Sequence, residues 1–262
     1  MSTPILETKG LCRSFGAVIA AKDINVRIEA GEVVGVIGSN GAGKTTFINM
    51  VTGYLPPSSG DIRFEGHTLI GKAPRKIIRM GMARSFQVAQ LFPELSVLEN
   101  MLIALVAAES PRPSFLNPVS TPARLRQADE ILTEFGVERF RDSLVSAVPQ
   151  GARKLIDIAM ALIGTPRMLL LDEPTSGVSV EEKFPLMDTV MRAVRHHGVT
   201  VLFVEHDMEI VERYVSRVLA FYSGEIISDG IPAQVFADNR VRELVIGHGH
   251  GAPASEKSRS KA

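Results

Sequence analysis

The sequence predicts an α/β fold, with a mainly parallel core sheet beside a layer of antiparallel strands. Residues 33–37 form a short apolar run that leads into a glycine-rich loop at residues 38–45. Two further stretches that are mostly apolar, residues 167–171 and 199–204, are each followed at once by acidic residues. Helical patterns separate these runs, and strands that alternate with helices favour a parallel sheet.

The glycine-rich loop reads Gly-Ser-Asn-Gly-Ala-Gly-Lys-Thr and matches the phosphate-binding P-loop pattern. Glycines let successive backbone N–H groups point at a phosphate, and the start of the following helix adds partial positive charge. Lys44 can reach the β- and γ-phosphates, and the Thr45 hydroxyl can bind Mg²⁺. A glycine-rich turn without a ligand is the alternative, but the flanking residues have the strand and helix character that the motif requires. The motif therefore predicts binding of a nucleoside triphosphate.

Composition narrows the possible partners. The 262 residues suffice for one large α/β domain or two small ones, and 29 basic residues balance 29 acidic ones, so we expect no nucleic-acid partner. A single cysteine, Cys12, excludes an internal disulfide. The chain does not start with a signal-peptide pattern, and its longest apolar run, residues 101–108, is too short to span a bilayer. We therefore expect a soluble chain that reaches a membrane only by docking onto another protein.

The first part of the chain predicts an antiparallel layer. Residues 5–30 contain two runs of alternating apolar and polar residues, and residues 61–64 add a third strand. Phe15 lies between the first two strands. It can serve as a platform for an adenine ring or as an ordinary core aromatic, and its position alone favours the core.

The middle of the chain predicts helices around a proline-rich loop at residues 109–123. The predicted helices are residues 77–105, interrupted at residues 85–95, then residues 123–135 and residues 151–163. Near the end, a helix at residues 208–218, capped by Asp207, and a hairpin at residues 217–228 are predicted. Residues 247–262 lack apolar periodicity and are expected to form a disordered tail.

Acidic and histidine side chains follow two of the buried runs. Because ligands bind at the carboxyl ends of strands in open α/β sheets, Asp172 and Glu173 are candidates for such a site. Asp172 suits Mg²⁺, and Glu173 can accept a proton from an attacking water. His206 can hold a γ-phosphate and that water, or it can be an ordinary surface histidine.

Taken in order, these motifs resemble the ATP-binding subunits of ABC transporters over residues 4–246. The motifs follow one another as the P-loop, Gln87, a helical insert, Gly151 at the start of a helix, Leu-Leu-Leu-Asp-Glu-Pro at residues 169–174, and His206. Four segments narrow the resemblance to the branched-chain amino-acid importer branch. They are residues 79–87, 91–100, 203–208 and 231–232.

The resemblance implies a P-loop NTPase cassette with a helical subdomain at about residues 88–165. It implies an ATPase that uses ATP and Mg²⁺ to energise an importer for branched-chain or related amino acids or small carboxylates. The implied partners are a second ATP-binding subunit, two transmembrane permease subunits and, indirectly, a substrate-binding protein outside the cell. The implied location is peripheral, on the cytoplasmic face of the inner membrane. The alternatives are a lipid or polysaccharide export ATPase, a soluble ABC ATPase without a transport role, and a regulatory module that holds ATP without turnover.

The resemblance also assigns roles to individual residues. The implied nucleotide contacts are Phe15, as a stacking platform for adenine, and Ser39, Asn40, Gly41, Ala42, Gly43, Lys44, Thr45 and Thr46. The implied metal ligands are Thr45, Gln87 and Asp172. Glu173 is the implied catalytic base, His206 the switch histidine, and Gln87 the residue that positions water and relays the nucleotide state.

One segment departs from the family pattern. The family's signature reads roughly Leu-Ser-x-Gly-Gln, and residues 148–152 here read Val-Pro-Gln-Gly-Ala, so the glycine alone is kept. Pro149 replaces the serine hydroxyl that meets a partner's γ-phosphate and also lacks a backbone N–H. Arg153 or Lys154 can supplement the contact. We therefore expect asymmetric pairing with a second ATPase that has an intact signature, unless the variant segment binds phosphate through its backbone alone.

Overall fold

The computed structural model of the chain describes residues 3–85, 91–109 and 118–247. The strands are β1 (Leu6–Phe15), β2 (Val18–Ile28), β3 (Val33–Gly38), β4 (Ser59–Phe64), β5 (His67–Thr68), β6 (Met82–Ser85), β7 (Met168–Asp172), β8 (Thr200–Val204), β9 (Arg217–Tyr222) and β10 (Glu225–Gly230). The helices are α1 (Lys44–Val51), α2 (Pro74–Arg79), α3 (Val97–Glu109), α4 (Pro122–Glu134), α5 (Gln150–Leu162), α6 (Val180–His196), α7 (Met208–Tyr214), α8 (Pro232–Ala237) and α9 (Asn239–Val241). Short 3₁₀ turns lie at Glu138–Phe140 and Val145–Ala147, and a π turn lies at Arg242–Ile246.

The strands form two sheets. The first is four-stranded in the order β2-β1-β4-β5, and β1 pairs antiparallel with both β2 and β4. This confirms the predicted antiparallel layer. The second is six-stranded in the order β10-β9-β3-β8-β7-β6, and β10 alone of its described strands runs antiparallel to its neighbour.

The order of the second sheet determines where the site lies. Strands β3, β8, β7 and β6 are parallel neighbours, so their carboxyl ends meet at one edge. This edge, called here the active-site edge, collects the P-loop after β3, Glu205 and His206 after β8, and Asp172 and Glu173 at the end of β7. The sequence-predicted site residues thus meet because of strand pairing.

Two apolar cores cover the faces of the six-stranded sheet. Leu169 and Leu171 of β7 point into the core shared with α3, α4, α5 and α6. Met168 and Leu170 point into the core between the two sheets. This alternation is the period-2 pattern of a strand, and burial on both faces explains why β7 reads as a continuous apolar run.

The structure corrects several element boundaries. Of the interrupted helix predicted at residues 77–105, the part after the break is confirmed as α3. The part before the break is largely wrong, because α2 ends at Arg79, Gly81 takes φ +99°, and β6 then pairs parallel with β7. Positive φ ends a helix readily at glycine, and Met82 and Ser85 are buried against the neighbouring strand. The predicted helix at residues 208–218 ends earlier, at Tyr214, because Arg217 already begins β9.

Most of the remaining predicted elements are confirmed, but one long helix was not predicted. The helices predicted at residues 123–135 and 151–163 are confirmed as α4 and α5, each displaced by one residue. The hairpin of β9 and β10 is also confirmed. Helix α6, which contains Pro185, is not predicted from the sequence. Gln87, most of the proline-rich loop and the tail after Gly247 lie outside the described residues. Among the described helices, none has the length and apolar character needed to cross a membrane.

Candidate active site

The P-loop is shaped by glycines that no other residue can replace without strain. Gly38 ends β3 and Gly43 precedes α1, with φ +156° and +105° respectively. A Cβ added at Gly43 would lie 2.5 Å from the backbone oxygen of Ala20, and one at Gly38 would lie 2.6 Å from that of Phe221. The loop is therefore pressed between β2 and β9, where only a bare backbone fits.

Lys44 supplies the positive charge of the loop. Its side chain is buried, and its ammonium donates to the Gly38 and Ser39 carbonyl oxygens at 2.6 and 3.0 Å. Burial lowers the pKa of Lys44, and the nearby Glu173 and Asp172 carboxylates oppose that shift. The loop cation and the acids of β7 therefore belong to one electrostatic site.

The remaining loop residues present an anion-binding surface. Ser39, Asn40, Gly41 and Thr45 are exposed, Thr46 is half-buried, and Ala42 is buried. Helix α1 has Gly43 as its N-cap residue and no side-chain cap, so its first N–H groups are left available to a ligand. Backbone N–H groups at a helix start and a lysine beside them fit a phosphate chain.

Glu173 and His206 form a contact pair at the active-site edge. His206 Nε2 lies 3.0 Å from Glu173 Oε1, and both side chains are partly exposed. Glu173 takes φ +49°, a strained conformation for a residue with a side chain, while its N–H donates to the Val204 oxygen of β8 at 3.0 Å. Strain of this kind concentrates at functional sites, and here it aims a carboxylate at the ring of His206.

Asp172 is engaged differently. Its Oδ2 accepts a hydrogen bond from Arg84 Nη2 at 2.7 Å, and both side chains are largely buried. Arg84 also donates to Asn49 Oδ1 of α1 at 2.7 Å. Arg84 therefore joins β6, β7 and α1. Because Asp172 Oδ2 is bonded to Arg84, Asp172 can bind a metal ion only through Oδ1 or through a bridging water.

Glu205 was not predicted from the sequence as a site residue. It is buried beside His206 and holds the neighbouring backbone in place. It is 3% exposed, and its Oε1 accepts from the backbone N–H and the hydroxyl of Thr175 at 3.1 and 2.5 Å. Its Oε2 accepts from the His206 backbone N–H at 3.0 Å. Glu205 thus ties His206 to the loop that follows Glu173. An acid directly after a buried strand was the available signal.

Glu205→Gln is expected to lower the free energy of unfolding by about 1–3 kcal/mol, because the amide replaces an acceptor oxygen with a donor. One of the N–H or O–H groups of Thr175 and His206 then loses its acceptor. Urea unfolding measures the change. Glu212→Gln, at an exposed position of α7, is the matched control, and equal midpoints for both variants would contradict the assigned network.

The signature segment, residues 148–152, starts α5. Pro149 is the N-cap residue and is exposed, and Gly151 and Ala152 are half-buried. The Gln150 side chain lies against Gly177 in the loop after Glu173. An exposed helix start therefore survives at this position without a serine hydroxyl.

Lys154, which the sequence predicts beside Arg153 as a supplement to this exposed helix start, is engaged elsewhere. Its side chain is buried, and its ammonium donates to the Glu173 backbone oxygen at 3.3 Å. Burial lowers the pKa of Lys154, while the carboxylates of Asp157 and Glu173 oppose the shift. Lys154 therefore links α5 to the backbone of Glu173 in the same chain.

The other predicted contacts lie at the rims of the site. Phe15 is 48% exposed at the end of β1, so it is not a core residue. The guanidinium of Arg13 lies 4.6 Å from the centre of its ring. Gln87 lies outside the described residues. Ser85, the last residue of β6, donates its buried hydroxyl to Asp157 at 2.6 Å.

Comparison with known proteins then identifies the family. A family model described as ABC transporter matches residues 21–176. The chain belongs to the ABC transporter family. This ABC ATPase is a nucleotide-binding, transport-coupled enzyme, and the predicted cassette fold is confirmed.

Individual relatives agree with the narrower resemblance. The chain is 34% identical to the high-affinity branched-chain amino acid transport ATP-binding protein BraF of Pseudomonas aeruginosa, over 90% of this chain and 94% of that one. It is 33% identical, with the same coverage, to LivG of Escherichia coli. The resemblance to the branched-chain amino-acid importer branch is thereby confirmed.

Solved structures match closely as well. The ADP conformation of an ATP-binding cassette of an ABC transporter is 30% identical, with a TM-score of 0.81, and the match covers 92% of this chain and 97% of that one. A nucleotide-free cassette is 28% identical, with a TM-score of 0.80, and the match covers 92% and 98%.

Proposed function

We propose that this ABC ATPase hydrolyses Mg·ATP to drive the import of branched-chain or related amino acids or small carboxylates. The observation that carries this proposal is the Glu173–His206 pair, which faces the P-loop cation Lys44 across the active-site edge. The names of the BraF and LivG relatives support the amino-acid substrate.

The residues present fit this chemistry. Lys44 and the N–H groups at the start of α1 bind the phosphates, with the hydroxyls of Thr45 and Thr46 beside them. Thr45 and Gln87, with Asp172 through its other oxygen or a bridging water, would hold Mg²⁺, which would neutralise charge on the phosphate oxygens. These ligand oxygens are of the type that Mg²⁺ prefers.

Glu173 accepts the proton of the attacking water, and His206 orients the Glu173 carboxylate through its Nε2–H. Lys154 donates a hydrogen bond to the backbone oxygen of Glu173. Glu173 is thus restrained at its side-chain carboxylate and at its backbone carbonyl group.

The adenine ring is expected to stack on Phe15. The hairpin of β1 and β2 lies beside the P-loop, because the backbone of Ala20 contacts Gly43. An exposed aromatic ring at the end of that hairpin offers a free face, and the Arg13 guanidinium lies over the ring. Stacking of this kind does not depend on base-specific hydrogen bonds.

We also propose that the chain pairs head to tail with a second ATPase. In that arrangement the exposed start of α5 meets the partner's ATP, and Pro149 offers it neither a hydroxyl nor an N–H. A partner with an intact signature completes the site formed by Lys44, Glu173 and His206. The two ATPases then dock peripherally on two permease subunits at the cytoplasmic face of the membrane, with a substrate-binding protein on the other side.

Restoring the signature tests this asymmetry. The double variant Pro149→Ser with Ala152→Gln is expected to raise the ATPase rate of the chain assayed alone by about tenfold or more, since one lost oxyanion donor costs roughly 10²–10³ in rate. Pro118→Ser, at another exposed proline, is the matched control. A rate that the double variant leaves unchanged would show that the natural segment already binds phosphate through its backbone.

The subunit composition tests the assembly. The tagged chain is extracted from its native membranes in mild detergent, and the co-purifying proteins are identified by mass spectrometry. We expect a second ATPase with an intact Leu-Ser-x-Gly-Gln segment and two permease subunits. Recovery of this chain as the sole ATPase would overturn the asymmetric pairing, and export permeases would overturn the import function.

A further inference from the structure

A cleft lies where α4, α5 and α6 meet, and its lining residues are far from the P-loop in sequence. Its volume is about 670 Å³, and apolar side chains such as Ile131, Phe135 and Leu162 line its floor. Glu134, at the end of α4, and two adjacent histidines at the end of α6 line the same cleft. None of these three polar residues takes part in the chemistry assigned above.

The three side chains already converge. His196 Nδ1 lies 3.0 Å from Glu134 Oε1, and His197 Nε2 lies 3.2 Å from Glu134 Oε2. One donor atom from each residue lies within 4.8 Å of the others. Two ligands about 2.1 Å from a tetrahedral zinc ion are about 3.4 Å apart, so an ion enters this cluster with only small side-chain adjustments.

The backbone favours a cation at the same place. Helix α4 ends at Glu134, α5 ends at Leu162 and α6 ends at His196, and all three residues line the cleft. The carboxyl end of a helix carries partial negative charge, so three such ends add to the charge of Glu134. Arg192 lines the cleft as well, and its positive charge partly opposes this field, so the three side-chain ligands must supply most of the attraction for the ion.

We propose that Glu134, His196 and His197 bind a divalent transition-metal ion of the zinc class. Two imidazole nitrogens and one carboxylate form a donor set that zinc accepts, with a fourth position left for water on the cleft side. The ion joins the end of α4 to the end of α6, whose Val190 and Val194 are buried in the core of the six-stranded sheet. The metal therefore fixes the end of α4 to α6, which packs on the six-stranded sheet.

Zinc titration of the full-length chain tests the site. Isothermal titration calorimetry with ZnCl₂ is expected to show one ion per chain at this cluster, and each of Glu134→Gln and His197→Ala is expected to weaken that binding by roughly tenfold or more. The histidines at positions 248 and 250 are replaced by alanine in all proteins, so that they do not contribute. His67→Ala, at an exposed histidine of β5, is the matched control and is expected to leave zinc affinity unchanged.

Thermal unfolding gives a second readout. Because a ligand that binds the folded state alone stabilises it, Zn²⁺ is expected to raise the Tm of the parent and of His67→Ala, and to raise that of Glu134→Gln by clearly less at the same zinc concentration. The side chains replaced are at the surface of the cleft, so the metal-free variants are expected to melt with the parent. Zinc affinity that is the same in parent, Glu134→Gln and His197→Ala, or no zinc binding by the parent, would overturn the proposal.

Discussion

Replacing Glu173 with glutamine is expected to leave ATP binding intact and to lower the rate of hydrolysis by about 10²- to 10⁴-fold, the usual contribution of a general base. The amide has the size of the carboxylate and still reaches His206, so the contact at 3.0 Å and the surrounding fold are kept. The amide cannot accept the proton of an attacking water. Steady-state phosphate release and ATP affinity, measured in the assembly in which the parent chain hydrolyses ATP, separate the two effects.

Glu243→Gln provides the control for this variant, because Glu243 is exposed near the end of the described chain and far in sequence from the P-loop. We expect its turnover to equal that of the parent. If Glu173→Gln keeps the parent's turnover, Glu173 is not the base. If it loses ATP affinity instead, its carboxylate organises the P-loop region rather than the proton transfer.

Replacing Lys44 with methionine is expected to weaken ATP binding by about 30- to 1,000-fold, which corresponds to about 2–4 kcal/mol for charge-assisted bonds to phosphate. Methionine fills the buried space of the lysine stem but brings no donor. The loop loses the two hydrogen bonds to Gly38 and Ser39, and the charge that faces Asp172 and Glu173 disappears. Calorimetric titration with a slowly hydrolysed ATP analogue measures the affinity.

Lys9→Met is the matched control for this second variant, because Lys9 is exposed on β1 and pairs with Glu7. We expect it to bind the analogue as the parent does. Equal affinity in Lys44→Met and Lys9→Met would remove Lys44 from the phosphate site. Circular dichroism of both variants distinguishes a loss of phosphate contacts from a loss of fold.

Most of the site residues could be found from local sequence. The P-loop needs particular residue types at fixed spacing, because the backbone itself binds phosphate, so Gly38, Gly43 and Lys44 stand out in the sequence. Asp172 and Glu173 follow an apolar run, and that run had to be a buried strand. The pairing of Glu173 with His206 also follows once both lie at the ends of adjacent parallel strands.

Secondary structure around α2 and β6 was harder to predict. Residues 77–79 belong to a helix, and the residues after Gly81 are apolar enough to continue it. Pairing with β7 decided for a strand, and that pairing joins residues far apart in the chain. Local propensity is a weak guide where tertiary pairing competes with it.

By itself, the sequence of this ABC ATPase predicted the phosphate loop and the candidates for the catalytic acid, the switch histidine and the altered signature, because each is a short pattern whose chemistry depends on neighbouring residues. The tertiary structure alone decided how those groups are held: Arg84 on Asp172, Glu205 on Thr175, and Lys154 on the carbonyl of Glu173. These partners are 88, 30 and 19 residues apart in sequence. No periodicity predicts such contacts, because they exist only once strand order and helix packing bring buried charges close enough to compensate one another.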